Sequence, residues 1–248
     1  SITADGKTLV TGSWDSTARV WNLETGALLH VLEGHEEAIS AMAITPDGKT
    51  LVTSTGDKIT RVWDLKTGVP VHVLEGKFVV ITPNGERLVT ASEDNTARVW
   101  NLETGQLLQV FEGHEYGFAS VLTPNGEQLV TLTPSEDNAA QVWSLETGQL
   151  LHVLKGHEDR IFTTAITPDG KKLVTTSMDK TARVWSLKTG ALLHVLKGHE
   201  DGIYTAAITP NGERLVTAAL DHTARVWDIK TGVVLQVLNG HVDDISAT

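Results

Sequence analysis

Residues 173–199 read LVTTSMDKTARVWSLKTGALLHVLKGH, and residues 215–241 read LVTAALDHTARVWDIKTGVVLQVLNGH. The repetition of this stretch decides the fold. The dipeptide VW returns with its tryptophan at Trp21, Trp63, Trp100, Trp143, Trp185 and Trp227, at spacings of 42, 37, 43, 42 and 42 residues. GH returns with its histidine at His35, His114, His157, His199 and His241. Self-similarity at a period of roughly 20–50 residues marks stacked supersecondary units, none of which buries its apolar faces alone. Six periods of 42 would make 252 residues, and a net loss of four leaves the 248 of the chain.

Each unit reads as four short strands. TPDG and TPNG turns (Pro46 to Gly48, Pro83 to Gly85, Pro168 to Gly170) join the first two, because Asp-Gly and Asn-Gly supply the left-handed conformations of tight hairpins. ETG or KTG joins the third and fourth, at Gly26, Gly68, Gly105, Gly148, Gly190 and Gly232. The runs between, such as KKLVTTS, TARVW and ALLHVL, have the β-branched and aromatic character of strands. No run of about ten residues keeps a helical period. Four-stranded sheets of this size, packed face to face around an axis, make a propeller.

Composition narrows the function. A hydrophobic fraction of 40% suits a globular chain, and a net charge of −11 argues against nucleic acid as the main partner. Cysteine is absent, which excludes disulfides and thiolate metal sites. No stretch reaches the roughly 18 consecutive apolar residues of a membrane helix, so no membrane partner is expected. The opening residues SITADGKTLV lack the regions of a signal peptide, which gives a cytoplasmic expectation, although a natural start upstream stays open. The common nucleotide, metalloprotease and hydrolase signatures are missing, and neither a cofactor nor a metal is expected.

GH at the start of a unit, Asp in its second turn and VW followed by Asp, Asn or Ser in its third strand resemble the WD-repeat β-propellers. The resemblance covers the chain in six copies, and their near-identity is similar to that of some bacterial WD-repeat arrays. It implies an all-β propeller of four-stranded antiparallel blades. The last residues, GHVDDISAT, joined to the first, SITADGKTLV, align without a gap to GHEDRIFTTAITPDGKKLV. That favours six blades over residues 1–248 as one domain, with one blade completed by both termini; seven remain if the chain is a window on a longer array.

His157, Ser177 and Asp179 invite a catalytic-triad reading. The set recurs, however, as His35, Thr55, Asp57 and Trp63, and as His114, Ser135, Asp137 and Trp143. A hydrolase needs one nucleophile in one pocket. The resemblance implies instead a structural network of histidine, strand hydroxyl, turn aspartate and tryptophan: His157, Ser177, Asp179 and Trp185; His199, Asp221 and Trp227, where Ala219 replaces the hydroxyl; and, across the termini, His241, Ser13, Asp15 and Trp21. The third unit lacks five residues and its GH histidine, leaving Ser92, Asp94 and Trp100 without a fourth partner.

His30, His72, His152 and His194 share one phase of the fourth strand and read as polar residues on an exposed outer strand rather than metal ligands. Arg19, Arg61, Arg98, Arg183 and Arg225 recur once per unit, with Gln141 as the exception; they read as structural contacts, with cations around an anion site as the alternative. In near-identical copies, unequal positions are where a shared frame is decorated. These gather Trp14, Tyr116, Phe118, Arg160, Phe162, Met178, Tyr204 and Leu220, which the resemblance places on the face bearing the GH loops and turn aspartates. Aromatics with an arginine suit an interface core. The expected function is a non-enzymatic scaffold or sensor module that binds a protein or peptide there, with an upstream effector domain possible in a signalling parent chain. The alternatives are an enzyme using the central channel, disfavoured by the small or apolar residues from Thr163 to Ile166 and Thr205 to Ile208, and a purely structural or oligomeric propeller.

Overall fold

In a computed structural model, the chain is all-β, and the structure describes residues 1–92, 94–112, 120–132 and 138–243. The strands form six antiparallel sheets, five of four strands and one of three, and every hairpin follows chain order. Two compact units, Ser1–Gly117 and Phe118–Thr248, hold three sheets each.

The turns form where the sequence places them. In the TPDG turn the Thr45 hydroxyl donates to Asp47 Oδ1 at 2.6 Å and accepts the Thr50 amide at 3.1 Å, while Gly48 takes φ +71°. The sheet therefore starts from a hydrogen-bonded knot rather than from a bare reversal. Between the third and fourth strands, Asp64 accepts the amide and the hydroxyl of Thr67 at 2.7 and 2.8 Å. The repeating VW dipeptide also marks a register shift: Val184 pairs with His194, but Trp185 pairs with Leu192.

The Leu-Val pair in each second strand explains why the sheets stack. Neighbouring side chains on a strand face opposite sides. Leu173 packs with Val142 and Leu154 of the preceding sheet, whereas Val174 packs with Leu215 and Trp227 of the following one. In the first unit Leu51 joins Val10, Val20 and Leu32, and Val52 joins Leu88 and Leu102. Both faces of a sheet are thus buried, each buried leucine or valine contributing roughly 1.5–3 kcal/mol.

The first sheet has three strands, Thr8–Gly12, Ala18–Asn22 and Leu28–Leu32. In place of a full inner strand, Ser1 exchanges backbone hydrogen bonds with Val10, and Ile2 bridges Leu9. Residues 244–248, the other half of the joint expected from the sequence, lie outside the described residues.

The fourth-strand histidines correct the expectation of freely exposed polar residues. Each is half-buried and reaches the following repeat. Nε2 of His30, His72 and His194 bonds the carbonyls of Lys66, Glu103 and Lys230 at 3.1, 3.0 and 2.9 Å, and the His152 ring lies against Gly190. The exposed positions of these strands are apolar instead, as at Leu193 and Val195.

Candidate docking face

The GH loop and the second-turn aspartate meet through the buried network. In the fifth repeat His157 Nδ1 lies 2.7 Å from Asp179 Oδ2, and Nε2 lies 2.7 Å from Thr175 Oγ1. Trp185 Nε1 donates to the same Thr175 oxygen at 2.9 Å. The carboxylate fixes the proton on Nδ1, so the threonine hydroxyl donates to Nε2 and accepts from the indole. His199, Asp221, Thr217 and Trp227 repeat the chain at 2.8–2.9 Å.

The bridging hydroxyl is not the one expected. Ser177 Oγ donates to the Asp159 carbonyl at 2.8 Å and accepts the Asp179 amide at 3.0 Å, so it braces the loop and the turn instead of the imidazole. The sequence carried the missing signal. The threonine of LVT occurs in all six copies, as Thr11, Thr53, Thr90, Thr131, Thr175 and Thr217, and each accepts its tryptophan's indole N–H. The position of Ser177 instead varies, being Thr55 in the second repeat and Ala219 in the last. In the third repeat, which lacks the histidine, the Thr90 hydroxyl donates to the Glu75 carbonyl at 2.9 Å, so the backbone supplies what the imidazole supplies elsewhere.

The same letters make a different arrangement around His35. Arg61 Nη1 approaches His35 Nδ1 at 2.8 Å, and Asp57 Oδ2 lies 4.0 Å away from that nitrogen. A guanidinium only donates, so Nδ1 accepts and Nε2–H donates to Thr53 Oγ1 at 2.7 Å. Burial and the neighbouring Arg61 charge push His35 down to about 4, against the pull of Asp57. Burial lowers His199 too, opposed by the Asp221 hydrogen bond and charge. For Asp179, burial pushes the carboxyl up, but the His157 and Thr181 hydrogen bonds, the His157 charge and the Glu158 amide outweigh it and hold it below the usual range.

One aspartate thus has two claimants. Asp179 accepts from His157, the Glu158 amide, and the amide and hydroxyl of Thr181, which uses the roughly four lone-pair sites of a carboxylate. Nothing remains for Arg183, whose Nε is buried without a partner, as is that of Arg225. Where no histidine takes the carboxylate this way, the arginine does: Arg19 pairs with Asp15, Arg61 with Asp57 and Arg98 with Asp94. In the first repeat Ser13 Oγ accepts the Asp15 amide and Trp21 uses Thr11; His241 is exposed.

These geometries do not support hydrolysis. The hydroxyl on His157 belongs to Thr175, which is 0% exposed and already holds Trp185. A substrate carbonyl has no approach to it.

The decorated positions fare differently. Phe162 falls at a register shift, Ile161 pairing with Ser177 and Thr163 with Thr176, and Tyr204 falls at the equivalent shift. A bulge frees one residue from the pairing and re-aims its side chain. The Phe162 and Tyr204 rings meet with centroids 5.1 Å apart at 45°, and the Arg160 guanidinium lies 5.9 Å from the Phe162 centroid. Gly202 completes the contact: a Cβ there would stand 2.6 Å from Met178 Sδ and 3.6 Å from Phe162. The Leu220 amide bonds the Gly202 carbonyl at 2.9 Å, which brings the next turn alongside. Tyr204 is 46% exposed and Met178 38%, Arg160 is exposed, and Phe162 and Leu220 are half-buried. Five of the eight expected residues therefore share one patch of the second unit. Trp14, in the first unit, is 91% exposed. Tyr116 and Phe118 lie outside the described residues.

A family model described as WD domain, G-beta repeat, matches residues 1–22, 26–64, 68–101, 148–186 and 190–228. No curated protein matches the chain.

Proposed function

Because the chain belongs to the WD-repeat family, whose repeats commonly serve as protein-interaction scaffolds, we propose that it is a non-enzymatic docking module whose partner-binding surface is the Arg160–Phe162–Met178–Tyr204–Leu220 patch. The observation that carries this reading is the convergence of the decorated positions. Residues that differ between near-identical copies, and that come from two consecutive sheets, make one exposed aromatic surface. Two tilted rings in contact, with a guanidinium over one of them, offer rigid contact area at low entropic cost, as protein-binding hot spots do. The partner is a protein or peptide, and the location fits the cytoplasm. A role as the sensing part of a bacterial signalling protein agrees with the repeat pattern.

The test uses peptides selected from a random library against the whole chain. Replacing Phe162 and Tyr204 together by alanine weakens their binding at least about tenfold, the scale of losing a hot spot. The far-ultraviolet circular dichroism of the variant stays that of the parent. Unchanged affinity with an intact fold removes the patch as the docking surface.

A further inference from the structure

The arginine released by the His157–Asp179 pair stands in an unusual place. Lys180, Arg183 and Lys197 line one cavity of about 270 Å³ together with Asp179 and Glu158. Lys180 occupies the position of Ser16, Lys58, Asn95, Asn138 and His222, and Lys197 the position of Glu33, Glu75, Glu112, Lys155 and Asn239. The fifth repeat alone unites three cations there, in a chain of net charge −11. The cavity adjoins the docking patch, since Asp179 and Lys180 follow Met178 in the same turn.

The charges are not spent on one another. The Asp179 oxygens are saturated by His157, Glu158 N and Thr181. Arg183 has no ion pair among the described residues, and its Nε is buried without a partner. Lys180 Nζ donates once, to the Glu200 carbonyl at 2.8 Å, and keeps two further donors. The Glu158 side chain is exposed to water. In the second repeat Arg61 is held by Asp57 and His35 and Glu75 replaces Lys197, so the same arrangement is neutralised.

We propose that this cavity binds a phosphate group, with Arg183, Lys180 and Lys197 as its ligands. A guanidinium fork offers paired donors to a tetrahedral oxyanion, and two ammonium groups supply the remaining charge. A phosphate offers a separate oxygen and up to two negative charges to the three cations, where a carboxylate offers two oxygens and one charge.

The whole chain is titrated calorimetrically with inorganic phosphate and with phenyl phosphate, at ionic strength held constant with chloride. Saturable binding is expected, weakened about tenfold or more in both Arg183→Gln and Lys197→Glu, the loss of one charge-assisted contact being about 1.4 kcal/mol or more. Gln141 and Glu75 occupy these positions in other repeats, so the frame accepts both substitutions. Arg225→Gln, in the next repeat, leaves the affinity unchanged. Tighter binding of phenyl phosphate assigns the site to a phosphate ester, and tighter binding of inorganic phosphate to the free ion. No saturable heat beyond that of chloride, or equal affinities in parent, Arg183→Gln and Lys197→Glu, overturns the proposal.

Discussion

Replacing Thr175 by valine tests the network at its centre. The two side chains are nearly the same shape, and the site is fully buried, so the change removes one hydroxyl and little volume. That hydroxyl accepts the Trp185 indole N–H at 2.9 Å and meets His157 Nε2 at 2.7 Å. Both partners are then left buried and unpaired, at about 1–3 kcal/mol each, so the expected loss is roughly 2–6 kcal/mol. For a chain of this length that corresponds to a fall in Tm of roughly 4–24 °C. Ser177→Ala is the companion variant. It removes a bond to the carbonyl of exposed Asp159 and one from the Asp179 amide, and the last repeat already carries Ala219 at this place. Its expected cost is about 1 kcal/mol. Urea unfolding followed by tryptophan fluorescence and by circular dichroism measures both. If Ser177→Ala costs as much as Thr175→Val, the threonine is not the bridge and the assignment fails.

Acid weakens the fold in two separate windows. The folded-state pKa values of His35 and His199 lie below that of a free histidine, so their stabilisation is complete above about pH 6.5 and is lost as pH falls from there toward about 4 for His35. The lowered aspartates Asp57, Asp179 and Asp221 add their loss only below about pH 3.8. A Tm that stays flat between pH 7 and pH 5 contradicts the histidine part. Gly68→Ala destabilises more than Gly26→Ala, although both glycines have φ +70°, because a Cβ at Gly68 would stand 2.8 Å from the His30 ring and one at Gly26 meets nothing within 4 Å. Each pays about 1–2 kcal/mol for the left-handed backbone, so adding His30→Ala to Gly68→Ala brings its penalty down toward that of Gly26→Ala. An equal Tm loss in the two single variants removes the proposed contact between repeats.

The sheets, their turns and their stacking were legible because each rests on a local rule repeated six times: Leu and Val alternate across a strand, and Asp-Gly or Asn-Gly closes a hairpin. The patch was legible because Arg160, Phe162, Met178, Tyr204 and Leu220 break a pattern that the rest of the chain keeps. What stayed hidden depends on which of two equally spaced groups comes nearer. Thr175 and Ser177 both face the network side of their strand, and only the reach of the imidazole selects Thr175. His30 and its equivalents looked exposed because the carbonyls they bond belong to the following repeat, 31 to 36 residues away.

The division between histidine and arginine was the least legible feature, since His, Asp and Arg stand at the same spacing in the second and fifth repeats. At His157 the aspartate lies 2.7 Å away and the arginine is left over; at His35 it lies 4.0 Å away and the arginine takes the nitrogen. A carboxylate with four bonds already made has no oxygen site for a fifth donor, so engaging the imidazole and freeing the guanidinium are one event. The fifth and the last repeats, whose aspartates both make four such bonds, therefore also leave an arginine to be used, and only in the fifth do Lys180 and Lys197 stand beside it.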